Sequence, residues 1–212
     1  MCTPPRDDGQ KDTLDGALHE IASLASLMNE EKRDADSRLR LFHWQQRISG
    51  RGPSPLVQPH RKLIMDGALN LIRIVKKAST FVEVDHTNVV DAEQTITQSK
   101  AVIPVEYIAP EPMDRPMMLI LCTDLLVLVQ QRGGKSWEGQ VDLFNVLRMA
   151  TLREPASIVH GNVLRVVDNK VGSTLSSARV TLISYKSIYY FNGGSHSSST
   201  QWCRAINSAR RR

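Results

Sequence analysis

The stretch GRGPSPLVQPHRKLIMDGALNLIRIV, residues 50–75, separates two parts of the chain with different hydrophobic periods. Its first six residues hold two glycines and two prolines, which cannot continue a helix. The segment 62–75 that follows is rich in Leu and Ile between turn-forming residues, as strands are. We therefore expect the fold to change here from helix to sheet.

Upstream of this break, apolar residues recur at three- and four-residue spacings, which is the pattern of one helical stripe. The stripe consists of Leu14, Leu18, Ile21, Ala25, Met28, Leu39 and Phe42. The polar segment NEEKRDADSR (29–38) interrupts it. The pattern predicts one helix over 13–49, packed on one face at both ends, whose middle faces solvent or a partner.

Downstream, seven short runs rich in Val, Ile, Leu and Tyr are separated by turn residues, and each is typical of a strand. The runs are 62–75, 117–122, 125–130, 139–144, 162–168, 179–184 and 187–192. A closing helix is predicted after Ser and Thr cap candidates, with one apolar face formed by Trp202, Ala205, Ile206 and Ala209. These elements predict an α+β protein with a seven-stranded antiparallel barrel or sandwich, one open end of which is plugged by the closing helix. The segment at about 78–114 has a Pro-rich end and is expected to be an inserted, largely disordered surface loop.

Composition limits the classes of function. With 212 residues, of which 41% are hydrophobic, the chain can form one domain and an extension. Lys and Arg number twelve against five Asp and Glu in residues 116–212, so the positive charge is concentrated in the C-terminal half. No basic run is interleaved with stacking aromatics, so we expect no nucleic-acid partner.

The sequence predicts neither an enzyme site nor a cofactor. Cys2, Cys122 and Cys203 lie far apart without a C-x-x-C pair, which indicates free thiols. The six histidines are scattered, so neither a metal site nor a catalytic triad is predicted. The GGKS at 133–136 lacks the earlier glycine of a phosphate-binding loop, because that position is Val129. Without a signal peptide or a spanning segment, the chain is expected to be cytoplasmic, with possible peripheral contact to a membrane.

Four pieces of sequence, taken in order, resemble the junction of the Dbl-homology (DH) and pleckstrin-homology (PH) domains of Rho guanine nucleotide exchange factors. They are MNEEKR (28–33), HRKLIMDGAL (60–69), LILCTDLLVLV (119–129) and STQWCRAI (199–206). The family's motif positions fall on Asn29, Glu30, Arg61, Leu63, Ile64, Gly67, Leu69 and Trp202. The resemblance covers residues 14–212 and implies that 13–49 is the last helix of an exchange domain. It further implies that 60–212 is a PH domain.

The resemblance also implies a Rho-family small GTPase as partner. Asn29 matches the position at which the family places an asparagine against the GTPase switch region, and Glu30, Lys32 and Arg33 are candidate neighbouring contacts. An amide held on a rigid helix can hydrogen-bond one switch conformation and so favour the state that releases nucleotide. The rest of an exchange domain has no counterpart here, so the chain resembles a C-terminal fragment and is expected to be inactive alone.

In PH domains, inositol phosphates bind at the mouth formed by certain loops, and the resemblance places five cations of this chain there. They are Lys76, Lys77, Arg115, Arg132 and Lys135. Because nearby residues are acidic, weak charge-driven contact with anionic lipids is expected rather than one specific headgroup. Trp202 is expected to be a structural plug, and Gly67 a structural position of the first strand.

Two hypotheses follow. The first is a part of a Rho exchange factor, whose PH domain supports GTPase or membrane engagement. The alternative is a free-standing PH-type module that binds lipid or protein without exchange activity.

Overall fold

The long helix α1 (Asp8–Arg47) and one sheet of eight strands dominate the computed structural model, which describes residues 8–50, 55–87, 98–133, 136–176 and 179–211. The strands are β1 (Ile48–Ser49), β2 (Leu63–Thr87), β3 (Gln98–Cys122), β4 (Leu125–Gln131), β5 (Val141–Arg148), β6 (Ser157–Val159), β7 (Val163–Ser176) and β8 (Arg179–Asn192). A single 3-10 turn (Met149–Thr151) precedes β6, and helix α2 (His196–Arg210) closes the chain.

The strand order is β1-β5-β4-β3-β2-β8-β7-β6, and all neighbours are antiparallel except the short parallel pair of β1 and β5. The α+β class with an N-terminal and a closing helix is confirmed. The predicted seven-stranded, wholly antiparallel barrel needs correction, because the sheet is mixed and its end strands β1 and β6 do not pair in the described residues. Strands β1 and β6 were too short to recognise, and the runs 179–184 and 187–192 form one strand, β8.

The prediction of a disordered loop at 78–114 is wrong for residues 78–87 and 98–114, which form strands, while residues 88–97 lie outside the described part of the chain. Strands β2 and β3 pair continuously from Leu63 opposite Cys122 to Thr87 opposite Gln98, apart from two bulges. Strand β4 pairs with β3 only from Met117 onward, which leaves the outer edge of the preceding part of β3 without a strand neighbour among the described residues. Proline lacks an N–H donor and is tolerated on such an edge, so the prolines that suggested a loop are compatible with a strand.

Two hydrophobic clusters lie on opposite faces of strands β3, β4 and β5. The inner cluster includes Leu119, Leu121, Leu126, Leu128 and Leu147, and α2 covers it. The outer cluster combines Leu41 and Trp44 of α1 with alternate residues of the same strands: Ile120, Cys122, Leu125, Val127, Val129 and Val141. Burial on both faces explains why 117–129 is an almost continuous apolar run rather than an alternating one.

Helix α1 packs on the sheet only near its C-terminal end. Leu41 and Trp44 are buried there, whereas Leu39 and Phe42 of the predicted stripe are exposed. The N-terminal part of the stripe is also exposed, with Leu14 at 65% and Met28 at 69% of their full exposure. The prediction of packing at both ends is therefore wrong. At about 100° per residue, the stripe lies on the side of α1 opposite Leu41 and Trp44.

Helix α2 closes one end of the inner cluster. Its N-cap is Ser195, whose hydroxyl accepts a hydrogen bond from Ser198 N at 3.1 Å. Trp202 and Ile206 are buried, and a β-carbon built on Gly67 would lie 3.4 Å from the ring of Trp202. Gly67 of β2 therefore lies directly against Trp202, so the two residues expected to be structural are in contact.

Candidate functional site

Polar side chains on one side of α1 fix the helix to the start of β2, and we call this contact the α1–β2 junction. Lys62 Nζ lies 2.6 Å from Asp34 Oδ2, and Leu63 N donates to Ser37 Oγ at 2.7 Å. Because these contacts are one turn apart on the helix, they hold its direction relative to β2 rather than pinning a single point.

Asp66 of β2 completes the α1–β2 junction. Its carboxylate forms an ion pair with Arg40 and accepts a hydrogen bond from Trp44 Nε1 at 2.9 Å. The guanidinium of Arg47 lies 4.6 Å above the ring of Trp44, and its Nε donates to Gly139 O at 3.1 Å. The helix end is thus bound to β2 on one side and to the start of β5 on the other.

A shallow cavity of about 300 Å³ opens beside the α1–β2 junction. It is lined by Leu39, Arg40, His43, Trp44, Arg47 and Asp66. Its walls carry two arginines and one carboxylate around an aromatic ring, and Arg40 and Asp66 are already paired with each other.

The segment between α1 and β2 is fastened by a buried arginine. Arg61 is 4% exposed and donates through Nε and Nη2 to the two carboxylate oxygens of Asp124 at 2.7 and 2.6 Å. Its Nη1 donates to the carbonyls of Pro55 and Leu56. Burial by itself would raise the pKa of Asp124, but the hydrogen bonds and charge of Arg61 hold that pKa below its ordinary value.

The four residues that the resemblance assigns to GTPase contact lie together on the middle of α1, N-terminal to the α1–β2 junction. Asn29, Glu30, Lys32 and Arg33 are all exposed. None of their side chains makes a hydrogen bond or an ion pair with another described residue. The structure leaves this surface accessible, and its role in binding a GTPase stays a prediction.

The cations predicted at a lipid-binding mouth are spread over β2, β3 and the residue that follows β4, and four of the five lie in the described residues. Lys76 forms an ion pair with Glu111 at 2.7 Å, and the neighbouring Lys77 lies on the opposite face of β2. Lys76 pairs with Ala109 of β3, so it is six residues, or roughly 20 Å, along that strand from Arg115. Arg132 approaches Ser49 and Asp142, while Lys135 lies outside the described residues. The role of these residues in lipid binding stays a prediction.

Sequence reasoning missed two features. The first is the α1–β2 junction, which is formed by ordinary polar residues whose partners depend on where α1 packs. The second is a group of cations on the sheet. Arg73, Arg165 and Lys186 lie on one face of β2, β7 and β8 with Lys77. The spacing of Arg73 and Lys77 in the sequence already puts both on one face of a strand. Placing Arg165 and Lys186 on that face required the register of β7 and β8.

No group of three or more His, Cys, Asp or Glu side chains in the described part of the chain could hold a metal ion. Cys122 and Cys203 are free thiols, and burial raises the pKa of Cys122 to about 12, so this thiol is protonated at neutral pH. Neither helix of the described chain combines the length and apolar character that crossing a membrane requires.

The arrangement of a long helix fixed to the outer face of a PH-like sheet, with a second helix closing the inner face, is similar in fold to solved DH/PH domains of Rho exchange factors. The DH/PH domains of p115-RhoGEF superpose with a TM-score of 0.51 at 16% identity, and the match covers 98% of this chain and 49% of that one.

The DH/PH fragment of PDZ-RhoGEF, solved in complex with human RhoA, gives 0.52 at 15% identity, with 98% and 48% covered. Vav1, solved with an allosteric inhibitor that blocks its exchange activity, gives 0.51 at 16% identity, with 97% and 41% covered. The chain thus spans about half the length of the solved structures that it resembles. No family model and no curated protein matches the sequence.

Proposed function

We propose that this chain is part of a Rho-family guanine nucleotide exchange factor that acts in small-GTPase signalling. In this proposal α1 is the last helix of the exchange domain and residues 60–212 are a PH domain that aids GTPase or membrane engagement. The observation that carries the proposal is the α1–β2 junction, which fixes α1 on the sheet while Asn29 and its neighbours remain exposed.

The apolar stripe of α1 supports the proposal. Its large side chains at Leu14, Leu18, Ile21, Met28 and Leu39 are between 57% and 69% exposed, and Phe42 is 46% exposed. Such a surface on a soluble protein marks an interaction site. The similar solved structures are about twice as long as this chain. In this proposal the stripe packs against the other helices of the exchange domain.

The proposal is tested by the release of fluorescent GDP from Rho, Rac and Cdc42-type GTPases. We expect the 212-residue chain to leave release at the intrinsic rate, because a single helix contacts only one side of the switch regions. A version extended at its N-terminus by the other helices of an exchange domain should accelerate release. That version should lose most of its activity on Asn29→Ala.

Gln46→Ala is the matched control, since it removes an exposed amide from the same helix beyond the proposed contact surface. This variant should release GDP at the rate of the extended parent. Tenfold acceleration by the chain as it stands, or an extended version that is inactive, would contradict the proposal. The inactive result would favour the free-standing interaction module.

A cytoplasmic location with weak attachment to anionic membranes is part of the same proposal. The excess of twelve Lys and Arg over five Asp and Glu in residues 116–212 supports it. Attraction of this kind weakens with salt and depends little on headgroup identity.

A further inference from the structure

The outer face of strands β2, β8 and β7 carries a group of cations that face away from the inner cluster. The register aligns Arg73, Tyr190 and Arg165 in one row across the three strands, and Lys77 and Lys186 in another row four residues along β2. Directly paired residues of an antiparallel sheet point to the same face. We call Arg73, Lys77, Arg165 and Lys186 the outer basic face.

Few carboxylates balance these four charges. Glu154 binds both Arg165, at 3.0 Å, and Lys186, and Glu106 lies one row beyond Lys77 toward the hairpin end. Arg73 stacks over Tyr190 at 5.8 Å and is exposed. In the part of the chain that the structure describes, neither Arg73 nor Lys77 forms an ion pair. Two cations of the outer basic face are therefore available to an anionic partner.

The row between the cations is apolar but covered. Ile188 is 5% exposed, and Val167 of β7, with which it pairs, is fully buried. Protein interfaces place exposed apolar and aromatic residues at their centre and charges at the rim. The outer basic face has one exposed apolar residue, Ile108, which pairs with Lys77 at the β3 edge and is not at its centre. Charge without an exposed apolar centre suits a surface of lipid phosphates better than a protein.

We infer that the outer basic face, rather than the predicted loop mouth, is the surface through which this chain contacts an anionic membrane. The inference rests on the membrane contact in the proposed function and is independent of exchange activity. Because Arg73 and Lys77 act as charges near a plane of phosphates, no single inositol phosphate is preferred.

The test is sedimentation of the full chain with vesicles of phosphatidylcholine containing about one fifth phosphatidylserine. The double variant Arg73→Gln/Lys77→Gln should bind roughly 25-fold more weakly, about fivefold for each cation lost near the membrane. The control Lys76→Gln/Arg132→Gln removes the same charge from the predicted mouth and should bind within about twofold of the parent. Arg73, Lys76 and Arg132 are exposed and Lys77 is half-buried, so thermal unfolding checks that both variants fold.

Equal weakening in the two double variants would overturn the inference, since net charge rather than the outer basic face would then decide binding. Parent-like binding by Arg73→Gln/Lys77→Gln would overturn it as well. Failure of the parent chain to sediment, together with binding to polyglutamate, would assign the face to an acidic protein. The assay contains no GTPase, so none of these results bears on the proposal of nucleotide exchange.

Discussion

Arg61 brings a full charge into the protein, and Asp124 is the group that balances it. Replacing Asp124 with Asn keeps the shape but leaves the buried guanidinium without a counter-charge, which we expect to cost about 3 kcal/mol of unfolding free energy. Asp142→Asn is the matched control, because its contact with Arg132 spans 3.7 Å at the surface. Urea unfolding should show a loss below about 0.5 kcal/mol for that control.

The same carboxylate predicts a pH dependence. Because the folded-state pKa of Asp124 lies below its ordinary value, its stabilisation is complete above the unfolded pKa of about 4 and is lost as pH falls through the folded pKa. The stability gap between the parent and Asp124→Asn should therefore narrow from neutral pH to about pH 3. A constant gap would mean that Asp124 does not titrate with folding.

The ribbon of β2 and β3 has two parts with different partners. Strand β8 pairs with β2 as far as Ser79, whereas beyond that point β2 and β3 pair only with each other. Replacing 81–104 with Asn-Gly should therefore change the unfolding free energy by less than about 1 kcal/mol, because a hairpin alone is marginally stable.

A longer replacement of 78–113 provides the contrast. It removes residues 108–112 of β3, which pair with the part of β2 that also pairs with β8, together with Met113, which packs on the inner cluster. We expect this variant to lose several kcal/mol or its cooperative urea transition. Equal stability of the two variants would show that the whole ribbon is dispensable, as the sequence first suggested.

The elements that sequence could predict are those with a local signal. The closing helix has its cap and its stripe around Trp202, and β4 follows the turn at Thr123 and Asp124. The Pro-rich part of β3 could not be recognised from the sequence, because proline usually indicates a loop. Proline is compatible with a strand only where that strand has no neighbour on one side. That condition depends on the order of strands in the sheet rather than on residues nearby in the chain.

In the candidate site, too, the features with a local signal could be predicted and those formed by distant residues could not. Exposure of Asn29 follows from the polar segment around it, whereas the contacts of Asp66 with Arg40 and Trp44 join residues more than twenty positions apart. The apolar run at 119–129 did contain an unused signal, because a strand without alternation is covered on both faces. It implied that a second element packs on the sheet, and that element is α1.

The whole chain presents its apolar stripe on the side of α1 away from the sheet. We expect the isolated chain to self-associate through this stripe at high concentration, and sedimentation velocity should show it. Leu18→Glu/Ile21→Glu should remain monomeric at the same concentration. Ser23→Glu/Ser26→Glu adds the same charge to the opposite side of α1 and should associate like the parent. A parent that is monomeric throughout the range would contradict this prediction.

The α1–β2 junction also sets the direction of the part of α1 that extends away from Leu41. Asn29 lies twelve residues from Leu41, or about 18 Å along the helix axis. A rotation of the helix axis by about 5° about Leu41 would therefore displace Asn29 by roughly 1.5 Å, half the length of a hydrogen bond. The contacts of Asp34, Ser37 and Asp66 thus determine the position of a side chain that does not itself contact the sheet.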